Sequence, residues 1–320
     1  SCIGQKGAFC KFANIRTKVI NMTYPETVEY LFSLLPAYHR VGKPAYKGNL
    51  DNTIELDSYF GHPHRKFRTV HVAGTNGKGS VSHMTASVLQ EAGYRTGLYT
   101  SPHLKDFRER IRVNGEMIPE EEVVGFVEKH DMIMKRIRPS FFELTVAMAF
   151  DWFARAEVDV AVIEVGMGGR LDSTNIITPV LSVITNIGHD HMEFLGDTLE
   201  AVAVEKAGII KEGVPVVIGE TRSETREVFI RRAEAMHAPV IFADTRFRCN
   251  LGKVFPNSSM RQYALTGLED GITLRGETPL GGLAQQKNLQ TAAAVAECLS
   301  DGFGLSRDHF LRGVAGVVAN

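Results

Sequence analysis

Cysteine is scarce in this chain. Cys2, Cys10, Cys249 and Cys298 are all there are in 320 residues, too few and too scattered for a disulfide framework or a zinc cluster. A reducing, cytoplasmic setting is therefore the expected one. Net charge is nearly absent as well, with 36 Lys and Arg against 37 Asp and Glu. Without an overall positive field, the simplest case for a nucleic-acid or anionic-membrane partner falls away. No apolar run reaches about 18 residues, so no membrane span is expected. Internal repeats and low-complexity tracts are also lacking, which excludes a repeat architecture.

The charge balance hides an asymmetry. Residues 1–21 carry Lys6, Lys11, Arg16 and Lys18 with no acid, +4, which leaves 32 basic against 37 acidic residues, −5, in the remainder. The apolar stretch in that leader is too weak for a good secretory signal. We read it as an extension ahead of Met22, with an acid-poor organelle transit segment as the alternative, and leave it out of the functional argument.

What the sequence does contain is an ordinary globular composition, 44% hydrophobic and 23% charged. At roughly 150 residues per domain, one large or two medium domains are expected. From about residue 69, short β-branched runs alternate with helical patterns. Strands are predicted at Thr69–Ala73, Thr96–Tyr99, Val158–Val165, Val180–Thr185, Val214–Ile218 and Val240–Ala243, and helices at 80–92, 120–137, 142–155, 198–208 and 223–236. Nearly continuous apolar strands suit a parallel sheet wrapped by helices on both faces, an α/β fold. Residues 245–280 turn polar and Gly-containing, and read as a small antiparallel β region. Asn288–Leu299 returns to an alanine-rich helix, and the chain ends on an apolar stretch after Gly302.

The strongest chemical signal is Val72-Ala73-Gly74-Thr75-Asn76-Gly77-Lys78-Gly79-Ser80, a strand entering a glycine-rich turn and then a helix. Such a turn lets backbone N–H groups close around phosphate, the helix N-terminus adds positive potential, Lys78 reaches terminal phosphates and the Ser80 hydroxyl suits magnesium. The spacing departs from the common phosphate loop, since Val72 stands at the first glycine and Gly79 separates lysine from serine. An incidental Gly/Asn turn is the bland alternative. Thr100-Ser101-Pro102-His103-Leu104 follows a strand at the sheet's carboxyl edge, where α/β ligand sites lie; Ser101 offers a hydroxyl to a hard cation, and a proline turn with a solvated histidine is the alternative. Glu164 ends an apolar strand, where a carboxylate is costly to bury unless paired or bound to metal. The segment continues Gly166-Met167-Gly168-Gly169-Arg170-Leu171-Asp172-Ser173-Thr174-Asn175, and Arg170 suits a carboxylate. His189-Asp190-His191 follows another apolar strand without the partners a zinc site needs. Lys206, by itself, reads as an exposed helix lysine paired with Glu205 or another acid. Ser140 is placed to cap the helix it precedes, and Asn288 either caps a helix or contacts a ligand.

Gly74–Ser80 resembles the ATP loop of the Mur ligase superfamily, and its Lys-Gly-Ser ending resembles the folylpolyglutamate synthase and dihydrofolate synthase branch. Glu164–Asn175 carries the second specific match, and together the matching segments cover roughly residues 24–320. The resemblance implies an ATP-dependent ligase that adds L-glutamate to dihydropteroate or tetrahydrofolate through an acyl phosphate. It implies ATP held by Gly74, Thr75, Asn76, Gly77, Lys78, Gly79, Ser80 and Asn288, and two Mg2+ ions held by Ser80, Ser101, Glu164 and His191. Ser140, Arg170, Leu171 and Asp172 would contact the pterin-bearing substrate. Lys78, His191 and a carbamylated Lys206 would be catalytic, while His189 departs from the family's usual leucine. The implied layout is an ATPase domain over 22–301, with 302–320 starting a linker to a C-terminal domain. A monomer is expected. The alternatives are another phosphate-loop protein, a peptidoglycan-precursor ligase, or a fragment that only binds nucleotide.

Overall fold

The computed structural model describes residues 22–34, 49–188, 197–254 and 259–318. The elements run α1 (Tyr24–Leu34), α2 (Asp51–Tyr59), β1 (Arg68–Ala73), α3 (Lys78–Glu91), β2 (Thr96–Tyr99), β3 (Ile111–Val113), β4 (Glu116–Met117), α4 (Glu120–Ile137), α5 (Phe141–Arg155), β5 (Val160–Glu164), β6 (Leu181–Ile184), α6 (Leu199–Ala207), β7 (Val216–Ile218), α7 (Ser223–Ala235), β8 (Val240–Phe242), α8 (Ala243–Arg246), β9 (Phe247–Val254), β10 (Arg261–Gly267), β11 (Thr273–Thr278), α9 (Gln285–Phe303) and α10 (Arg307–Ala315). Eight strands form one sheet in the order β4-β3-β2-β5-β1-β6-β7-β8, and β9, β10 and β11 form a second. In the large sheet β2, β5, β1, β6, β7 and β8 are parallel, and β3 and β4 close one edge antiparallel. The expected α/β class, parallel sheet and antiparallel region near 245–280 are all present.

Strand side chains alternate between two helical layers, which is why the central strands are apolar throughout. Val70, Val72, Leu98, Val162 and Val183 pack with α3 and α9 in one core, which extends to Cys249, Tyr263 and Leu265 of the small sheet. On the other face, Tyr99, Ala161 and Ile163 join α1, α4 and α5, and Ile184, Val216 and Ile218 join α6 and α7. Helix starts are chemically marked. Ser140 Oγ accepts the Glu143 N–H at 3.1 Å while Glu143 accepts the Ser140 N–H at 2.6 Å, so α5 opens on a capping box. α4 opens on Glu120, Glu121 and Glu122 and closes on Lys135 and Arg136, charges that oppose its dipole.

Three features depart from expectation. α1 and α2 are unanticipated; each buries a leucine, Leu31 or Leu56, against the α4–α5 layer. β3 and β4 are too short to display a period. Arg307–Ala315, within the stretch expected to begin a linker, form α10, a helix the sequence did not announce, whose Phe310 and Val314 belong to the α3 core. The two helices meet closely at Gly313, where a Cβ would stand 2.6 Å from the Val88 Cα and 2.7 Å from its nitrogen. Both obstacles are backbone, so Gly313→Ala must separate the helices. Overpacking of this kind costs about 1–3 kcal/mol, and thermal denaturation should show a Tm lowered by several degrees. An unchanged Tm would mean that α10 is not seated on α3.

Candidate active site

The parallel strands bring their carboxyl ends to one edge, the place where α/β proteins bind ligands. β1 lies between β5 and β6, with Val72 opposite both Glu164 and Val183. Consequently the Gly74–Ser80 loop, Glu164 and the segment after β6 are neighbours. β2 lies beside β5, which adds Ser101.

The Gly74–Ser80 loop is clasped from the β6 side. Thr75 N–H donates to the Asn186 carbonyl at 3.0 Å, Asn76 N–H to Asn186 Oδ1 at 2.8 Å, and Thr185 Oγ1 donates to the Asn76 carbonyl at 2.6 Å. Gly77 takes a φ of 80° immediately before α3, and a Cβ there would lie 2.2 Å from Asn288 Oδ1. Asn288 is thus pressed against the loop. It donates to Gln285 Oε1 at 2.9 Å, and Gln285 Nε2 donates to Ser80 Oγ at 3.2 Å. The cap reading for Asn288 is excluded, since the N-cap of α9 is Ala284. Lys78 Nζ arches back to the carbonyls of Gly74 and Thr75 at 3.0 and 3.2 Å, holding its ammonium over the loop.

Glu164 is only 3% exposed, and Ser101 N–H donates to its Oε2 at 3.3 Å. Burial pushes its carboxyl up to about 7, against the pull of the Lys78 ammonium and the Ser101 N–H. A Cβ on Gly79 would stand 3.8 Å from Oε2, an ordinary contact distance, so the residue between lysine and serine lies directly beside the Glu164 carboxyl. The Ser101 loop is itself fixed: Glu109 accepts the N–H groups of Leu104, Lys105 and Asp106, and Arg110 Nε donates to His103 Nδ1 at 2.7 Å. His103 is therefore half-buried and held through its Nδ1.

Lys206 corrects the reading made from its sequence position. It is 4% exposed, and its Nζ donates to the Gly74 carbonyl at 3.0 Å. Glu205 pairs instead with Arg170, at 2.9 Å. Arg170 does find a carboxylate, but one of its own chain. Asp172 is buried and turned into its own loop, accepting Met167 N–H and Thr174 N–H, each at 2.9 Å. Ser140 caps α5, and Leu171 is half-buried. Phe142, next to the cap, lies against Gly166, where a Cβ would be 2.1 Å from its ring. His189, Asp190 and His191 lie outside the described residues, as do residues 1–21.

Among the described residues, no three His, Cys, Asp or Glu cluster to hold a metal. The buried Glu164 carboxyl, with Ser101 and Ser80 on the adjoining loops, offers the hard oxygen donors that magnesium shared with phosphate would use. Sequence reasoning assigned no role to Asn186 or Glu220. Asn186 Nδ2 donates to Glu220 Oε1 at 3.1 Å, and Glu220 Oε2 pairs with Lys287 ahead of Asn288. The signal was available, because Glu220 follows an apolar strand in the same way that Glu164 ends one.

Residues 72–296 match the model of the Mur ligase middle domain. The chain belongs to the Mur ligase family. It is 46% identical over 200 residues to the dihydrofolate synthase/folylpolyglutamate synthase of Bacillus subtilis, covering 60% of this chain and 46% of that one. It is 36% identical over 283 residues to the folylpolyglutamate synthase of Lacticaseibacillus casei, covering 86% and 64%. A solved FPGS–AMPPCP–folate complex superposes with a TM-score of 0.83 at 34% identity, covering 93% of this chain and 72% of that one. Within the Mur ligases, the chain therefore falls in the folylpolyglutamate/dihydrofolate synthase branch. It spans less than two thirds of the two curated relatives named here. No helix among the described residues is long and apolar enough to cross a membrane.

Proposed function

We propose that this Mur ligase chain supplies the ATP-handling and pterin-binding parts of a ligase that adds L-glutamate to dihydropteroate or reduced folates. The observation that carries the reading is Glu164, a buried carboxylate at the strand edge beside Lys78 and Gly79. A structural glutamate in that position would be costly, whereas one facing a phosphate-bound cation has a role. The relatives' names, and the nucleotide analogue and folate in the solved complex, support the choice of substrates.

In such a ligation the pterin substrate's carboxylate attacks the γ-phosphorus of ATP and releases ADP. The α-amine of glutamate then displaces inorganic phosphate from the acyl phosphate, forming the amide and losing a proton. No enzyme nucleophile is required. Loop N–H groups from Gly74 to Ser80 cradle phosphate, and Lys78 offsets charge on the transferring oxygens. Asn288 and the Asn186 clasp hold that loop in shape. Ser80, Ser101, Glu164 and His191 would hold two magnesium ions, whose chemistry when bound is charge neutralisation at phosphate. Lys206, buried beside the loop, is the site for a carbamate, which would exchange a cation for an anion. Asp190 or His191 is the candidate acceptor for the ammonium proton of glutamate. We place the enzyme in the cytoplasm as a monomer.

Phosphate release from ATP tests the reading, measured with L-glutamate and either dihydropteroate or tetrahydrofolate. It is run on this chain and on a version continued past Asn320 with the remainder its relatives span. Release that depends on both glutamate and a pterin is expected from the longer protein, and release that ignores the pterins would overturn the ligase assignment. Mass spectrometry of the native protein should show one carbon dioxide on Lys206, lost in acid; its absence would remove the carbamate.

A further inference from the structure

His71 stands on β1, three residues ahead of Gly74, and the function above gives it no task. It is fully buried, with Ile163 and Ser182 opposite it on the neighbouring strands. Its Nε2 lies 2.8 Å from Thr174 Oγ1, and Thr174 Oγ1 lies 2.5 Å from Asp172 Oδ1. The direction of the chain follows from what each atom has left to give. Asp172 already accepts the N–H of Met167 on Oδ2 and the N–H of Thr174 on Oδ1. Burial raises the Asp172 carboxyl and these N–H bonds oppose it; because both oxygens already accept N–H groups, we assign the carboxylate form, with the Thr174 hydroxyl proton pointing toward Oδ1. Thr174 Oγ1 then has only lone pairs to offer His71, and His71 must donate from Nε2. The imidazole is therefore the Nε2–H tautomer, and its Nδ1 is a buried bare nitrogen with no hydrogen-bond partner. Burial and the nearby Lys211 ammonium hold the ring down to about 3, so it stays neutral in this role.

This chain of donors joins two parts of the site that the sequence separates by about a hundred residues. One end is the strand that carries the phosphate loop. The other is Asp172, whose acceptor bonds close the turn over Gly166–Leu171; Arg170 and Leu171 of that turn are, with Asp172, residues the resemblance assigns to the pterin. We propose that His71 is a positioning residue that, through Thr174 and Asp172, fixes the pterin-facing Gly166–Leu171 turn in register with the phosphate-loop strand. His71 touches neither substrate. Its effect is to hold the turn where the pterin's carboxylate meets ATP, and a small misplacement there is costly.

The inference rests on the proposed function only for the identity of the ligand, and the test separates the two. Dihydropteroate and ATP binding are measured on this chain for His71→Leu, His71→Gln, Thr174→Val and Thr174→Ser. Glutamine places an amide N–H where Nε2–H stood, and serine keeps the hydroxyl. The leucine and valine variants should weaken dihydropteroate binding about tenfold or more while ATP binding moves less than about threefold. The glutamine and serine variants should restore it. Should His71→Leu not fold, the Thr174 pair decides alone. Nitrogen NMR of the imidazole should show protonated Nε2 and bare Nδ1, unchanged down to about pH 5. A protonated Nδ1, equal loss of both ligands, or unchanged dihydropteroate affinity would each overturn the proposal. A wild-type chain that binds ATP but no pterin would sink the proposed function instead. The relay is then judged by the tautomer and by amide exchange at Met167, which Thr174→Val should accelerate; unchanged exchange would overturn it.

Discussion

Glu164→Gln is expected to abolish pterin-dependent phosphate release while making the ligand-free protein more stable at neutral pH. The two effects have one cause. Burial raises the Glu164 carboxyl from an ordinary 4.5 to about 7. Between those values the folded protein keeps a proton that the unfolded chain has lost, so stability falls as pH rises through the window. At one factor of ten per 1.36 kcal/mol, the cost at pH 8 is up to about 3 kcal/mol. Glutamine has similar shape and no charge to desolvate, and it removes that cost. Without nucleotide or magnesium, Tm should rise by several degrees at pH 8, and the gain should fade toward pH 4.5. The same change removes the negative charge expected to face the metal and phosphate, and activity should fall by about a hundredfold or more. A variant that keeps wild-type turnover, or whose Tm gain is the same at pH 5 and pH 8, would show that the carboxylate has been misassigned.

Sequence carried much of this arrangement, and the exceptions have physical reasons. The parallel strands and their helices were legible because strands covered on both faces must be apolar along their whole length, as Val160–Glu164 is but for its last residue. Glu164 was legible for the same reason, as the one charge that an apolar strand cannot absorb cheaply. The phosphate loop was legible because its glycines and lysine serve one chemistry. Lys206 was not. A helix lysine beside a glutamate reads as a solvated pair, and only the packing of α6 against the loop buries it, 132 residues from its Gly74 partner. Asp172 was half legible: the resemblance of its segment marked it, but not that backbone N–H groups would consume its acceptors. β3 and β4 were hidden by brevity, since three and two residues show no reliable period, and α2 by its polar composition, with only Ile54, Leu56 and Tyr59 to mark a face. The α10 seat on α3 was invisible because it depends on Gly313, whose significance is the side chain that it lacks.

Gly74→Ala should lower stability and nucleotide affinity together, the opposite pairing to Glu164→Gln. Gly74 has a φ of 146°, where a side chain is strained at a cost of about 1–3 kcal/mol. A Cβ would also lie 1.9 Å from Thr185 Oγ1 and 3.1 Å from the Thr185 nitrogen. Thr185 cannot simply rotate aside, because its hydroxyl is the donor that holds the Asn76 carbonyl. Relieving the clash therefore opens the clasp on the loop. The double variant Gly74→Ala, Thr185→Gly separates the contributions. It removes the side-chain collision, so part of the lost Tm should return, while the φ strain and the missing Asn76 partner keep ATP affinity low. If the double variant recovered ATP binding as well, the clasp would be dispensable and steric collision alone would explain the single variant. If Gly74→Ala bound ATP like the parent, the loop geometry described here would be wrong at its first residue.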